Sequence, residues 1–264
     1  MASDARPLAG GGSTARLLRH YDAKYGAGTA GPPAVATAPA GAPQNRHEAC
    51  LHYLPQHFHG GAILEVGAGD GRLARGLAAQ GIGFERYVAT EASRARLAGL
   101  ERSLEDPRFE AAHLDLEQAS PEHDARYDAV ILLALVEHLV DPIEALQRVR
   151  GFLKPGGIAF IDTPNVAKYT RRLKLLFGRF PATASRDEGL ATFDGAPVDL
   201  HDEGHLHYFT YRSLSRLLFE RCGFREVTPA PYASGPHWLG RGVGGWLARL
   251  RPQLFSELCV VARA

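Results

Sequence analysis

A glycine-rich turn between a predicted strand and a predicted helix limits the fold more strongly than any other feature of the sequence. The apolar run Ala62–Val66 predicts a buried strand, and residues 72–80 have the pattern of an amphipathic helix. The five residues between them include Gly67, Gly69 and Gly71. Glycines carry no β-carbon, so they let the backbone turn sharply and approach a ligand closely. The turn therefore predicts the first unit of a parallel sheet that binds a ligand.

Short apolar runs continue to alternate with helical patterns along the chain, which is typical of β-α-β units. Candidate N-cap residues lie at Ser93, Asp141 and Thr210, and we expect the helix after Asp141 to run to Leu153. The pattern predicts an α/β fold with a Rossmann-like sheet in a three-layer α/β/α sandwich, and ligands at the carboxyl ends of the strands. The six predicted strands after the first are residues 87–90, 109–114, 127–135, 158–162, 224–228 and 254–261.

The chain is predicted to divide into an N-terminal flap and linker, residues 1–45, and a folded body, residues 46–264. The linker, residues 26–45, is almost entirely Ala, Gly, Pro and Thr. Such a composition buries too little apolar surface to offset the entropy of ordering, so we expect a loose segment. Residues 164–208 and 230–252 break the alternation after the fifth and sixth strands, and we expect these insertions to form a cap.

Two stretches of the predicted cap have amphipathic helical patterns. Residues 168–180 place Leu173, Leu176, Phe177 and Phe180 on one side. This helix is a candidate lid over an acidic or phosphorylated substrate, an interfacial helix that contacts lipid, or an ordinary surface helix. Residues 238–251 leave the same alternatives open.

The composition excludes a wholly disordered, collagenous or coiled-coil chain. Hydrophobic residues make up 45% and charged residues 22% of the 264 positions, which is typical of a globular chain. The 30 basic and 29 acidic residues give a net charge of +1, so no global charge attracts nucleic acid. No apolar stretch is long enough to span a membrane, and Cys50, Cys222 and Cys259 form no metal or disulfide motif. These features predict a cytoplasmic protein without nucleic acid or stable membrane insertion, although peripheral contact with a membrane stays open.

Acidic residues lie at or next to the ends of the first three predicted strands. Glu65 precedes the first glycine, where its negative charge is unfavourable beside a pyrophosphate but suits a ligand with a cationic end. Glu91 lies 24 residues after Gly67, near the position from which an acid accepts hydrogen bonds from ribose hydroxyls, and Asp115 ends the third strand in the same way. Arg72 replaces the third glycine of the dinucleotide fingerprint, which disfavours a nicotinamide-dependent oxidoreductase.

Five segments follow one another in a recognisable order: E-V-G-A-G-D-G, T-E-A-S, L-D-L, Y-D-A-V-I-L-L-A-L-V-E-H-L-V-D-P and L-K-P-G-G. Over residues 46–228 the chain resembles class I S-adenosylmethionine-dependent methyltransferases, of the group with ubiquinone-biosynthesis O-methyltransferases and sugar and natural-product methyltransferases. The resemblance implies a seven-stranded fold and methyl transfer to a small molecule, such as a sugar, glycolipid precursor or phenolic metabolite. Oxygen is the expected acceptor atom. An N-methyltransferase and a non-catalytic scaffold that binds S-adenosylmethionine are the alternatives.

The resemblance also assigns cofactor contacts. Arg46 would pair with the cofactor carboxylate, and Glu91 would hold both ribose hydroxyls. Gly71 would let the first helix pack against its strand. The residues expected around the methionine portion are Arg46, Glu65, Gly67, Ala68, Gly69, Leu133 and Ala134. Those expected around the ribose and adenine are Glu91, Ala92, Asp115 and Leu116.

Methyl transfer to a hydroxyl group requires removal of its proton, and an imidazole suits this task near neutral pH. Our leading hypothesis makes His138 or His205 the general base, with Glu137 orienting an imidazole. His207 is a further candidate in the same histidine-rich segment.

A metal site is the alternative use of these residues. Some relatives hold a divalent ion with E-x-x-E-H and a later histidine, but Ala134 replaces the first acid of that motif here. Glu137, His138 and a distal histidine could still provide three ligands. Because a carboxylate is lost, we predict no metal.

Overall fold

A seven-stranded sheet forms the centre of the computed structural model, which describes residues 19–20, 22, 35–118, 124–234, 240–255 and 257–264. The strand order is β3-β2-β1-β4-β5-β7-β6, and β7 runs antiparallel to both of its neighbours. This topology confirms the predicted Rossmann-like, seven-stranded fold. The strands are β1 (Ala62–Val66), β2 (Arg86–Glu91), β3 (Phe109–His113), β4 (Tyr127–Leu133), β5 (Leu153–Pro164), β6 (Glu226–Pro229) and β7 (Glu257–Arg263).

Helices cover both faces of the sheet. One apolar core lies between the sheet and α1–α3, and a second lies between the sheet, α4 and α6. The three layers agree with the predicted sandwich. The helices are α1 (Arg46–His57), α2 (Arg72–Ala79), α3 (Arg94–Ser103), α4 (Pro142–Phe152), α5 (Tyr169–Leu176), α6 (Tyr211–Arg216) and α7 (Gly240–Leu250).

The predicted capping residues begin their helices. Oxygens of Ser93, Asp141 and Thr210 accept hydrogen bonds from backbone N–H groups in the first turns of α3, α4 and α6. Gly71 begins α2 in a left-handed conformation, with φ = 74°. A Cβ at this position would lie 2.9 Å from a Leu104 methyl group, so Gly71 allows α2 to approach α3 rather than, as expected, its strand.

Several predicted strand boundaries differ from the structure, and two of the differences have identifiable reasons. β4 ends at Leu133 instead of residue 135, because Ala134 adopts φ = 51° and leaves the extended conformation. β5 begins at Leu153 instead of residue 158, because Leu153 already pairs with Tyr127 before the glycine turn.

The prediction of a loose linker over residues 26–45 is wrong for the part that the structure describes, residues 35–45. Ala36 is buried, and its N–H group donates to the Arg72 carbonyl oxygen at 3.1 Å. A Cβ at Gly76 would lie 2.6 Å from the Ala36 carbonyl oxygen. Small residues therefore allow this segment to pack closely against α2, although their composition suggested that it could not pack.

Two long connections leave the sheet after β5 and β6. Residues 165–210 connect β5 to α6, and residues 230–256 connect β6 to β7. Helix α5 in the first insertion has the reverse of the usual burial pattern. Arg171 is buried, with 9% of its surface exposed, whereas Leu176 and Phe177 are 74% and 75% exposed. Among the described residues, no helix has both the length and the apolar character needed to cross a membrane.

Candidate functional site

A cavity of about 620 Å³ lies at the carboxyl ends of the central strands. Its volume falls within the range of roughly 300–1,000 Å³ that is typical of small-molecule sites. Residues from consecutive strand ends form one half, and residues from the first insertion form the other. The predicted site residues that line the cavity are Arg46, Gly67, Glu91, Ala92, Asp115, Leu116, Leu133, Ala134, Glu137, His138 and His205.

The glycine turn is held against the end of β2. The N–H groups of Gly67 and Ala68 both donate to the Thr90 carbonyl oxygen, at 3.0 and 2.9 Å. The Gly69 N–H group donates to Oε1 of Glu91 at 2.6 Å. Gly67 lines the cavity, whereas Ala68, Gly69 and Gly71 do not.

Glu65 lies outside the cavity, contrary to the expectation that it surrounds the methionine portion of a cofactor. Successive side chains of a strand point to opposite faces, and Glu65 points into the core beneath α1–α3. Its Oε2 accepts a hydrogen bond of 2.7 Å from the Tyr87 hydroxyl group. Burial raises the pKa of Glu65 to about 8.

Two carboxyl groups face the strand-end half of the cavity. Oε1 of Glu91 lies 3.3 Å from a guanidinium nitrogen of Arg96, and burial raises the pKa of Glu91 despite this positive charge. The Asp115 carboxylate accepts hydrogen bonds from the Glu117 N–H group and the Gln118 side-chain amide, at 3.0 and 2.8 Å. Carboxylates in these positions suit a ligand that carries hydroxyl and amine groups.

Arg46 supplies a positive charge near the middle of the cavity. Its Nε lies 3.5 Å from Oδ1 of Asp162, a fully buried residue whose Oδ2 accepts a hydrogen bond from the Tyr232 hydroxyl group. Glu257, at the start of β7, also lines this part of the cavity. Burial, with the nearby Asp162, raises the pKa of Glu257 to about 8.

Glu137 and His138, in the turn after β4, meet His205 of the first insertion in the insertion half of the cavity. Nε2 of each histidine lies 4.0 Å from Oε1 of Glu137, and the two rings are 4.6 Å apart. Glu137 is 1% exposed. Its Oε2 accepts a hydrogen bond from the Thr163 hydroxyl group, whereas Oε1 has no hydrogen-bond partner among the described residues. Burial raises the pKa of Glu137 to about 7.

Backbone and threonine oxygens orient the two imidazoles, which corrects the expectation that Glu137 does so. A separation of 4.0 Å is too long for a hydrogen bond. Instead, Nδ1 of His138 lies 3.1 Å from the Gly204 carbonyl oxygen, and Nδ1 of His205 lies 2.6 Å from the Thr183 hydroxyl oxygen. Burial and the neighbouring His138 lower the pKa of His205 to about 3, so this imidazole is neutral at pH 7.

The same three residues could hold a cation. Among the residues that the structure describes, their ligand atoms form a group in which all lie within 4.8 Å of one another. Two imidazole nitrogens and one carboxylate oxygen do not match the oxygen ligands that Mg²⁺ prefers, and are closer to a zinc site.

His207 does not line the cavity. Its Nε2 lies 3.3 Å from the Val140 carbonyl oxygen, and its backbone N–H group donates to the Glu137 carbonyl oxygen. These bonds hold the insertion against the turn that carries Glu137, so we do not assign His207 a role in proton transfer.

Sequence reasoning missed three residues near the cavity: Thr183, Asp202 and Glu257. Glu257 had a recognisable signal, because it is the one charged residue within the predicted strand 254–261. Asp202 and Thr183 had none, because their contact joins two loops that are 19 positions apart in sequence.

Residues of the N-terminal flap reach both rims of the cavity. The Ser93 hydroxyl group donates to the Asp22 carboxylate on the strand-end side. The His20 ring lies 3.7 Å from the carboxylates of Asp199 and Glu203 on the side of the insertion. The flap over the cavity stays a prediction, because most of residues 1–34 lie outside the described residues.

Comparisons with known proteins agree with the geometry. The sequence profile of a family described as a methyltransferase domain matches residues 43–228. The chain is 35% identical over 119 residues to a ubiquinone biosynthesis O-methyltransferase of Marinobacter nauticus, and the alignment covers 44% of this chain and 50% of that protein. The chain thus spans about half the length of the curated relatives that it matches.

Solved structures share the fold. The chain is similar to an S-adenosylmethionine-dependent methyltransferase from Mesorhizobium loti, with a TM-score of 0.55, 17% identity, and coverage of 83% of this chain and 97% of that one. It is also similar to such a methyltransferase from Archaeoglobus fulgidus, with a TM-score of 0.53, 18% identity, and coverage of 83% and 92%.

Proposed function

The chain belongs to the methyltransferase-domain family of class I S-adenosylmethionine-dependent proteins, and from this premise we propose that it methylates a hydroxyl group of a small molecule. One observation carries the proposal. The cavity combines carboxylates at consecutive strand ends with a separate cluster of proton acceptors, Glu137, His138 and His205. The names of the curated relatives favour a phenolic acceptor over a sugar or glycolipid precursor.

The strand-end half fits the cofactor. Glu91 would accept hydrogen bonds from the ribose hydroxyls, and Asp115 and the Leu116 backbone would contact the adenine. Arg46 would pair with the carboxylate, and Leu133 would contribute backbone contacts at the methionine end. When bound, S-adenosylmethionine supplies a methyl group activated by its positively charged sulfur.

The residues of the insertion half would handle the proton. His138 accepts the proton of the acceptor hydroxyl at Nε2, while its Nδ1–H group donates to the Gly204 carbonyl oxygen and fixes the ring. The ionised Glu137 carboxylate, 4.0 Å away, stabilises the resulting imidazolium. Burial and the neighbouring His138 lower the pKa of His205 to about 3, so His205 accepts a hydrogen bond without taking the proton. No step requires a metal.

Titration calorimetry tests the cofactor assignment. We expect Glu91→Ala to weaken S-adenosylmethionine binding at least tenfold, or about 1.4 kcal/mol, because the ribose loses its acceptor. Glu110→Ala is the matched control, since Glu110 lies on the neighbouring strand β3 and pairs with the exposed Arg86. Equal affinity of Glu91→Ala and wild type would contradict the assignment.

Product analysis tests the reaction itself. Release of S-adenosylhomocysteine with a panel of phenols, sugars and amines identifies the acceptor class, and mass spectrometry locates the methyl group. Methylation of amines but not hydroxyls would replace the O-methylation proposal, and binding without any transfer would indicate a scaffold.

The exposed apolar side of α5 supports a further part of the proposal, peripheral contact with a membrane. Leu173, Leu176 and Phe177 face solvent, and Arg172 and Lys174 lie on the same helix. Apolar side chains beside basic ones suit an anionic bilayer surface.

A further inference from the structure

Asp202 is the centre of a buried hydrogen-bond network in the first insertion. Its Oδ2 accepts from the Thr183 N–H group, the Thr183 hydroxyl and the Tyr208 hydroxyl, at 2.7, 2.9 and 3.1 Å. Its Oδ1 accepts from the N–H groups of Ala184 and Ser185 and from the Ser185 hydroxyl, at 2.8–2.9 Å. These bonds outweigh burial and lower the pKa of Asp202 to about 2, so the carboxylate is ionised and only accepts.

The ionised carboxylate determines where the Thr183 hydroxyl proton lies. A threonine hydroxyl has one proton to donate, and Asp202 Oδ2 takes it. The Thr183 hydroxyl oxygen also lies 2.6 Å from Nδ1 of His205. Because the Thr183 proton is already used, Nδ1 must be the donor in this second bond. The neutral imidazole therefore carries its proton on Nδ1 and a lone pair on Nε2.

Three proton-accepting atoms consequently face one another in the cavity. They are Nε2 of His205, Nε2 of His138, whose Nδ1 bonds the Gly204 carbonyl oxygen, and Oε1 of Glu137 in its ionised form. A ligand group placed among them has to bring a proton of its own. A hydroxyl group meets this requirement, and the methyl ether formed from it does not.

We propose that Asp202 and Thr183 are positioning residues that hold His205 as a hydrogen-bond acceptor and thereby favour a hydroxyl acceptor over its methylated product. The preference for a hydroxyl acceptor rests on the proposed function, whereas the tautomer of His205 is independent of it. Asp202 and Thr183 act through His205.

The loop is held independently of the Thr183 hydroxyl group, which makes a clean test possible. The buried Arg171 guanidinium donates to the carbonyl oxygens of Asn165, Ala182 and Thr183. The Thr183 N–H group bonds Asp202 without its side chain. Thr183→Val should therefore remove the link to His205 and leave the backbone in place, while Thr183→Ser retains a hydroxyl group as the matched control.

Long-range ¹H–¹⁵N spectra of the ¹⁵N-histidine-labelled full chain report the tautomer directly, with His205→Gln assigning the signals. We expect wild type and Thr183→Ser to show His205 protonated at Nδ1, and Thr183→Val to shift toward protonation at Nε2. Equal melting temperatures and S-adenosylmethionine affinities would establish that the variants are folded. A His205 protonated at Nε2 in wild type, or unchanged spectra in Thr183→Val, would overturn the proposal.

Kinetics test the consequence with phenol as the probe and anisole, its methyl ether, as the product inhibitor, because anisole has no hydroxyl proton. Thr183→Val should lower kcat/KM for phenol about tenfold and narrow the difference between the KM for phenol and the inhibition constant of anisole, and Thr183→Ser should stay within about threefold of wild type. An unchanged kcat/KM and unchanged anisole inhibition in Thr183→Val would refute the positioning role. Failure of wild type to methylate phenol counts against a phenolic acceptor, and the tautomer then tests the positioning residues on its own.

Discussion

The two halves of the cavity are built in different ways. In the strand-end half, the groups that face the cavity lie at or just after the ends of consecutive parallel strands, and short-range bonds such as Gly69 N–H to Glu91 hold them. In the insertion half, Asp202 and Arg171 organise loops that have no regular hydrogen-bond ladder. Ordered loops need buried partners for their backbone groups, and ionised side chains can bond several of them at once. The strand-end half thus depends on the sheet, whereas the insertion half depends on buried charges.

This difference predicts that chemistry and cofactor binding can be separated, and Glu137→Gln should give the largest effect. We expect kcat to fall about 100-fold, or about 2.7 kcal/mol, because the imidazolium loses its neighbouring charge. S-Adenosylmethionine affinity should change less than threefold. Initial-rate kinetics and calorimetry on one preparation measure both, and a parallel loss of cofactor affinity would show that the halves are not independent.

The same variant predicts a change in pH dependence. Burial raises the pKa of Glu137 to about 7, so the carboxylate is protonated below this pH and charged above it. If the ionised form is required, wild-type kcat should rise with pH through about 7. Glu137→Gln should lose this limb of the profile, and a variant that retains it would assign the titration to another group.

Vesicle binding should respond to α5 alone, with an intermediate effect. We expect the double variant Leu176→Asp, Phe177→Asp to reduce sedimentation with phosphatidylglycerol vesicles about tenfold. Two exposed apolar side chains are lost, and the new carboxylates are repelled by the anionic lipid. Leu250→Asp on α7, another exposed leucine, is the control. Equal sedimentation of the double variant and wild type would exclude α5 as the contact.

Removal of metal ions should have the smallest effect. Dialysis against EDTA should leave the transfer rate within about twofold, because Ala134 supplies no carboxylate beside Glu137 and the histidines have assigned roles without an ion. Added Mg²⁺ or Zn²⁺ should not raise the rate. A rate that falls on chelation and returns with one of these ions would show that the cluster holds a metal.

The strand-end half was predictable because strand ends that follow one another in the sequence lie next to one another in the fold. Periodicity locates each strand, the parallel topology brings the strand ends together, and so Glu91 and Asp115 were placed in the cavity from their positions alone. Glu65 was misplaced because a motif gives the position of a residue but not the face of the strand on which its side chain lies.

The insertion half was less predictable for a physical reason. Its key contacts join residues 183–185 to Asp202, and neither segment has a periodic pattern. His138 and His205 were identified by their chemistry, but the atoms that orient them, the Gly204 carbonyl and the Thr183 hydroxyl, follow from loop geometry. Residues 35–45 show the same limit, because the small side chains that suggested disorder also permit close packing.

A crystal structure of the chain with S-adenosylhomocysteine tests the central claim most directly. The account predicts the nucleoside at the ends of β1–β3, with both ribose hydroxyls within hydrogen-bond distance of the Glu91 carboxylate and the sulfur directed toward the half that holds His138. A nucleoside bound elsewhere, or a ribose that does not contact Glu91, would contradict it.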